Sequence, residues 1–158
     1  MQDQVFKKIL FPTDFSVASD YAMSYAISMA KRYKAKFFLL HVVDTTYDIS
    51  GFYIPHISAE KLMQEMEEAA EKKLTNISSA ISRRIKAREI VVKSGIPHKE
   101  ILKFAKDKGI DMIIMGTHGK AGLDHLLFGS TTERVLRQAS CPVLTIRPPK
   151  DMFLKGRE

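Results

Sequence analysis

Met112-Ile113-Ile114-Met115-Gly116-Thr117-His118-Gly119, joined through nine residues to Gly129-Ser130-Thr131, is the stretch on which the fold reading turns. The apolar run Met112 to Met115 reads as a buried strand. Thr132-Glu133-Arg134-Val135-Leu136 reads as the opening of a helix. Glycines between a strand and a helix let the backbone approach a ligand closely, and N–H groups at a helix start attract anions. From the residues alone, the stretch reads as a phosphate cradle.

The same alternation extends outward in both directions. Downstream, the fourth helix runs from about Ser130 to Ala139, and Val143-Leu144-Thr145-Ile146 is a fifth strand stopped by Pro148-Pro149. Upstream, Lys8 to Phe11 reads as a first strand ending at Pro12-Thr13-Asp14, and Ser16 caps a helix running to about Tyr33. Lys36 to Val43 is a second strand, followed by a loop over 44–57 that carries Tyr47, Phe52, Tyr53 and Ile54. Ser58 then caps a long helix whose stripe runs from Leu62 through Leu74 to Ile85, with an acidic first half and a basic second half that suit the macrodipole. Glu89 to Lys93 is a third strand, and Pro97 opens a third helix at a tolerated first-turn position. Apolar strands alternating with helices mean a parallel sheet covered on both faces. Ligands of such sheets bind beyond the carboxyl ends of the strands, where the winding direction reverses. If the first and fourth strands are neighbours, Asp14 and Gly116 meet there.

The chain has 158 residues, which suits one domain, and a formal net charge of +7, which suits a phosphorylated ligand, nucleic acid or no specific partner. The expected organisation is a single domain over 1–148 with a charged tail over 149–158. No apolar stretch approaches the ~20 residues of a membrane span, and the N-terminus lacks a signal-peptide pattern, so a cytoplasmic protein is expected. Cys141 is the sole cysteine, which excludes an intramolecular disulfide and favours a buried, inert thiol. The densest basic run, Arg83-Arg84-Ile85-Lys86-Ala87-Arg88, reads as the end of the long helix, with a polyanion-binding patch as the competing reading. It lacks the interleaved aromatics of a single-strand platform, and nucleic acid is not the expected partner.

These residues resemble the universal stress protein family over about residues 5 to 148. The likeness rests on Ile9 to Ser16 at the first strand end, on His41-Val42-Val43, on Met115 to Gly119 with Gly129-Ser130-Thr131, and on Ser140-Cys141-Pro142-Val143-Leu144. The spacing Gly-x2-Gly-x9-Gly-Ser resembles that of the family's ATP-binding branch. The resemblance implies an open five-stranded parallel sheet in the order 3-2-1-4-5 with helices on both faces, like the adenine nucleotide alpha-hydrolases. It implies that Asp14 and the backbone near Val42 and Val43 hold adenine. Gly116, Gly119, Gly129, Ser130 and Thr131 would surround ribose and phosphates, and Pro12, Thr13, Met115 and the backbone of His118 would line the pocket. The implied cofactor is ATP, or another adenine nucleotide, with Mg2+ or Mn2+ held mainly by the phosphates. A homodimer through the fifth strand, Val143 to Ile146, is implied as well.

Several of these residues have a plainer role to weigh. Asp14 can bond the N–H groups ahead of Ser16 in a local turn. Gly116 and Gly119 can be turn residues. Ser130-Thr131-Thr132-Glu133 fits a capping box, with Glu133 reaching back to the Ser130 N–H. His118 and His125 lack the partners of a metal site, and Lys120 either neutralises phosphate or is a solvated lysine. The loop after the second strand either walls the adenine or packs locally.

The leading functional expectation is an ATP-binding universal stress protein acting as a homodimeric, nucleotide-dependent sensor or regulator. A slow ATPase or phosphotransferase is the second reading. The Gly-x4-Gly-Lys-Ser/Thr loop is absent from the sequence. A Ser-Gly-Gly-x-Asp-Ser loop is absent too: the chain has Thr13-Asp14-Phe15-Ser16-Val17-Ala18-Ser19-Asp20 after the first strand. A protein or nucleic-acid adaptor that works without nucleotide is the third.

Overall fold

The computed structural model describes residues 5–46, 58–117, 128–149 and 152. Its elements alternate throughout: β1 (Lys8–Pro12), α1 (Val17–Tyr33), β2 (Lys36–Asp44), α2 (Ala59–Ile81), β3 (Arg88–Gly95), α3 (Pro97–Lys108), β4 (Met112–Gly116), α4 (Ser130–Gln138) and β5 (Val143–Ile146). The strands form one parallel sheet in the order β3-β2-β1-β4-β5, as the family resemblance implied. The central strands are apolar at almost every position because both faces of the sheet are covered.

Alternation along the strands divides the core in two. Ile9, Phe11, Phe37, Leu39, Met112 and Ile114 point to the face covered by α1 and α2, where they meet Ala22, Ala26 and Leu74. Leu10, Phe38, Leu40, Ile113 and Met115 point to the face covered by α3 and α4, where they meet Ile101, Phe104 and Val135. The helices change faces because the chain winds one way through β1, β2 and β3, then returns to lay β4 on the other side of β1. The switch point therefore lies between β1 and β4.

Two helix starts form as their sequences predict. Ser16 and Ser58 are extended residues whose hydroxyls accept from the N–H groups of Ser19 and Lys61, each at 3.2 Å. The end of α2 differs from the sequence expectation. The helix stops at Ile81, and its last turn holds no basic residue. The Ile81 carbonyl accepts from both Arg84 (2.9 Å) and Ile85 (3.0 Å), so Ile85 stays buried in a turn and not in a continued helix. Arg88, the first residue of β3, supplies the missing cation: its guanidinium donates to the carbonyls of Ser78 (2.9 Å) and Ile85 (3.1 Å). The run Arg83 to Arg88 is thus a turn and a strand start.

Cys141 is half-buried and not buried as the sequence suggests; partial burial, followed by the negative charge of Asp111, raises its pKa. Among the described residues, no helix is long and apolar enough to cross a membrane. The tail expected over 149–158 lies outside the described residues except for Pro149 and Met152.

Candidate functional site

At the switch point, β1 and β4 share only the rungs Ile9↔Met112 and Leu10↔Ile113, yet β1 runs on to Pro12 and β4 to Gly116. The two strands thus continue past their last common pair, and a crevice opens between their carboxyl ends. Pro12, Thr13 and Asp14 stand on one side of it, and Met115 and Gly116 on the other.

The β1 side is a built turn. Thr13 continues the ladder by donating its N–H to the Leu40 carbonyl at 2.8 Å. Its hydroxyl accepts from the Phe15 N–H at 3.0 Å, and Phe15 takes a left-handed conformation with φ of 61°. Asp14 Oδ1 accepts from the Ser16 N–H at 3.0 Å and from the Ser19 hydroxyl at 2.7 Å. The local role weighed for Asp14 is therefore real, and it holds the carboxylate at the start of α1. Asp20, one turn further along α1, has a raised pKa, from partial desolvation first and then from the charge of Asp14.

Three residues that the sequence reading left without a role complete this corner. His41 donates from Nδ1 to the Thr13 carbonyl at 2.7 Å. Its ring lies 4.4 Å from that of Phe15, and the Lys73 ammonium sits 5.0 Å over the Phe15 ring. His41 lies in a quoted segment, but its function depends on a turn 28 positions away in sequence. Beyond Leu40, alternation turns the N–H and C=O of Val42 toward β1 again, where that strand has ended. The backbone of Val42 therefore faces the gap, while Val43 pairs toward β3 in register with Ser94 and buries its side chain.

The β4 side is fixed by α4. Gly129 donates its N–H to the Thr117 carbonyl at 2.7 Å, and the buried Thr132 hydroxyl donates to the Gly116 carbonyl at 3.0 Å. These two bonds pin the N-terminus of α4 beside the crevice. Thr132 is a further residue with no role assigned from sequence, because it reads there as one polar residue of a helical first turn.

The capping box expected over Ser130 to Glu133 does not form. The N-cap is Gly129, Ser130 is already helical, and no side chain among the described residues caps the helix. Glu133 turns outward instead and pairs with Arg137 at 2.9 Å, one helical turn along. The amides of Ser130 and Thr131 thus begin a helix that has no side-chain cap. Gly129 has φ of −70°, open to any residue, so its conformation does not call for glycine.

Gly116 does have a structural reason to be glycine. A Cβ there would lie 3.0 Å from the backbone C and O of Ala18, where α1 crosses the end of β4. His118, Gly119, Lys120, His125 and the aromatic segment from Tyr47 to Ile54 lie outside the described residues.

Two cavities open away from the crevice, both against α2. One of about 380 Å³ lies between α2 and β3, lined by Glu67, Glu71, Ile90, Val92, Lys93 and Ser94. Its carboxylates oppose a phosphate. No group of three or more His, Cys, Asp or Glu that could hold a metal occurs among the described residues.

Comparison with known proteins gives the crevice its context. The family model for the universal stress protein family matches residues 6–147. The chain belongs to the universal stress protein family. Universal stress protein MJ0577 of Methanocaldococcus jannaschii is 36% identical, with 90% of this chain and 96% of that protein covered. The solved structure of MJ0577 superposes with a TM-score of 0.80 at 33% identity, over 93% of this chain and 99% of that one. Universal stress protein UspA from Lactobacillus plantarum follows at 0.76 and 28% identity, covering 92% and 100%. A universal stress protein from Archaeoglobus fulgidus, solved in complex with dAMP, shares the fold at a TM-score of 0.63 and 18% identity, covering 90% and 99%. The crevice of the present chain is thus the switch point of a universal stress protein fold.

Proposed function

We propose that this universal stress protein binds ATP in the crevice between β1 and β4 and acts as a homodimeric, nucleotide-dependent regulator. The observation that carries the reading is the N-terminus of α4. Among the described residues it has no side-chain cap, it starts on a glycine whose conformation any residue can adopt, and it is tied to the end of β4 by Gly129 and Thr132. Phosphates are bound there by the amides of Ser130 and Thr131 and by the helix dipole. The backbone of Val42 faces the adenine, and Asp14 contacts base or ribose while keeping its place in the α1 turn. Pro12, Thr13 and Met115 line the pocket, with Gly116, Gly119 and His118 beside the ribose and phosphates. Mg2+ or Mn2+ is held by phosphate oxygens. Adenine as the base is supported by the dAMP complex of the Archaeoglobus protein, which shares this fold.

Calorimetry with MgATP on purified protein, with identification of any nucleotide released on denaturation, tests the site. Heat of binding saturating at one ATP per chain is expected; the absence of both heat and released nucleotide would overturn the proposal. Nucleotide that binds only the folded state also raises stability, by roughly 2.7 kcal/mol at a hundredfold excess over the dissociation constant.

The homodimer forms through β5, an edge strand whose other side carries no strand among the described residues. The carbonyls of Pro142 and Ile146 accept from Ile113 of β4 and from Thr117 just beyond it, so alternation points the N–H of Thr145 away from β4. Thr145→Pro removes that outward donor and leaves the β4 rungs in place. Light scattering is expected to show the variant as a monomer where the wild type is a dimer. A dimer of unchanged affinity would place the interface elsewhere. The proposal takes residues 1–148 as its folded unit and 149–158 as a tail.

A further inference from the structure

A sheet whose helices all run back against parallel strands brings every helix end and the next strand start to one pole. In this chain that pole gathers Lys31, Arg32 and Lys34 from the end of α1 with Arg83, Arg84 and Lys86 from the turn between α2 and β3. All six are exposed. Because α1 and α2 cover the same face of the sheet, both groups lie at the same end of that face. Among the described residues none of the six forms an ion pair.

Two of the acids at this pole are engaged elsewhere, while Asp107 in the last turn of α3 is exposed. Glu89 pairs with Lys36 at 2.6 Å and reaches Lys108 at 4.0 Å. Asp111 accepts from the backbone N–H groups of Lys7 and Lys8, each at 2.8 Å. Complementing a helix dipole accounts for Lys31 and Arg32, which lie in the last turn of α1. It does not account for Arg83, Arg84 and Lys86, which lie beyond α2, whose end is already served by Arg88. The acidic residues of α2, from Glu60 to Glu71, occupy its opposite half, so charge is segregated along the molecule.

We propose that this pole docks the phosphate backbone of a nucleic-acid duplex. Three guanidinium groups among the six suit phosphate, which they grip with paired donors. The aromatic rings at this pole, Phe6 and Tyr33, pack edge to face at 5.0 Å and are half-buried. They are therefore not presented as a platform for unpaired bases or as anchors in a bilayer. A duplex offers its charge on the outside and needs neither. The linear sequence shows two separate basic runs, at 31–36 and 83–88; folding brings them to one pole. The proposal is independent of the crevice, which lies at the other pole.

Fluorescence anisotropy of a labelled DNA duplex of about 20 base pairs, titrated with full-length protein at about 50 mM salt and upward, tests it. Wild type is expected to bind saturably, with affinity falling steeply as salt rises. The variant Arg83→Glu, Arg84→Glu, Lys86→Glu is expected to bind at least tenfold more weakly with a shallower salt slope, and to keep the wild-type response to MgATP. A control with the same charge change, Lys61→Glu, Lys99→Glu, Lys103→Glu, is expected to bind within threefold of wild type. Equal loss in both variants would reduce the effect to net charge and overturn the proposal. So would the absence of saturable binding, or tighter binding to vesicles of anionic lipid than to the duplex.

Discussion

Gly129→Asp is expected to weaken MgATP binding by at least about a hundredfold while leaving the nucleotide-free protein as stable as wild type, or slightly more so. The two effects have opposite signs because one atom group acts on both. Gly129 is the N-cap of α4, with φ of −70° and ψ of 158°, and no side chain caps the helix. Aspartate fits that conformation and caps well, by a few tenths of a kcal/mol over glycine, with a further gain from the helix dipole. The same carboxylate occupies the position proposed for phosphate and repels it. At an effective dielectric of about 20 and about 4 Å, one unit of like charge costs about 4 kcal/mol, and a hundredfold loss needs only about 2.7. Calorimetric titration with MgATP and a melting curve without nucleotide read the two effects separately. If the variant melts normally and binds ATP within threefold of wild type, α4 does not hold the phosphates.

Gly116→Ala is expected to lower the stability of nucleotide-free protein by about 1–3 kcal/mol, or roughly 2–12 °C in melting temperature for a domain of this size. The added Cβ would stand 3.0 Å from the carbonyl carbon and oxygen of Ala18. Those are backbone atoms of the first turn of α1, which Ser16 and Asp14 hold through Ser19. Relief therefore requires the helix start to move, and with it the Asp14 turn. Calorimetry on protein freed of nucleotide checks the prediction; an unchanged melting temperature would refute the packing role. The two glycines were read from sequence as one device. The structure separates them: Gly116 has a packing role independent of any ligand, whereas nothing in the backbone at Gly129 asks for glycine.

The sheet was legible because its signals are local. Met112 to Met115 reads as a strand buried on both faces without knowledge of its neighbours, and Ser16 and Ser58 announce their helices by chemistry that acts within a single turn. The crevice was legible only in outline. Asp14 and Gly116 were placed together on condition that β1 and β4 adjoin, and the strand order meets that condition. Where the reading failed, a distant partner outweighed a local pattern. Glu133 fits a capping box in sequence, but Gly129 and Thr132 fasten α4 to the end of β4, Gly129 becomes the cap, and Glu133 pairs with Arg137. The stripe of α2 runs on to Ile85 in sequence, but the helix ends at Ile81, and Arg88 of the next strand bonds the Ser78 carbonyl in its last turn.

By itself the sequence determined the alternation of strands and helices, their approximate limits, the family likeness and the glycine spacing, since hydrophobic period and turn chemistry act over a few residues. Tertiary structure alone decided which groups meet: His41 on the Thr13 carbonyl, Lys73 over the Phe15 ring, and Thr132 on the Gly116 carbonyl. Each of those contacts joins segments far apart in the chain. Its energy arises only once the sheet order has brought them within a few ångströms, and no local pattern records that distance.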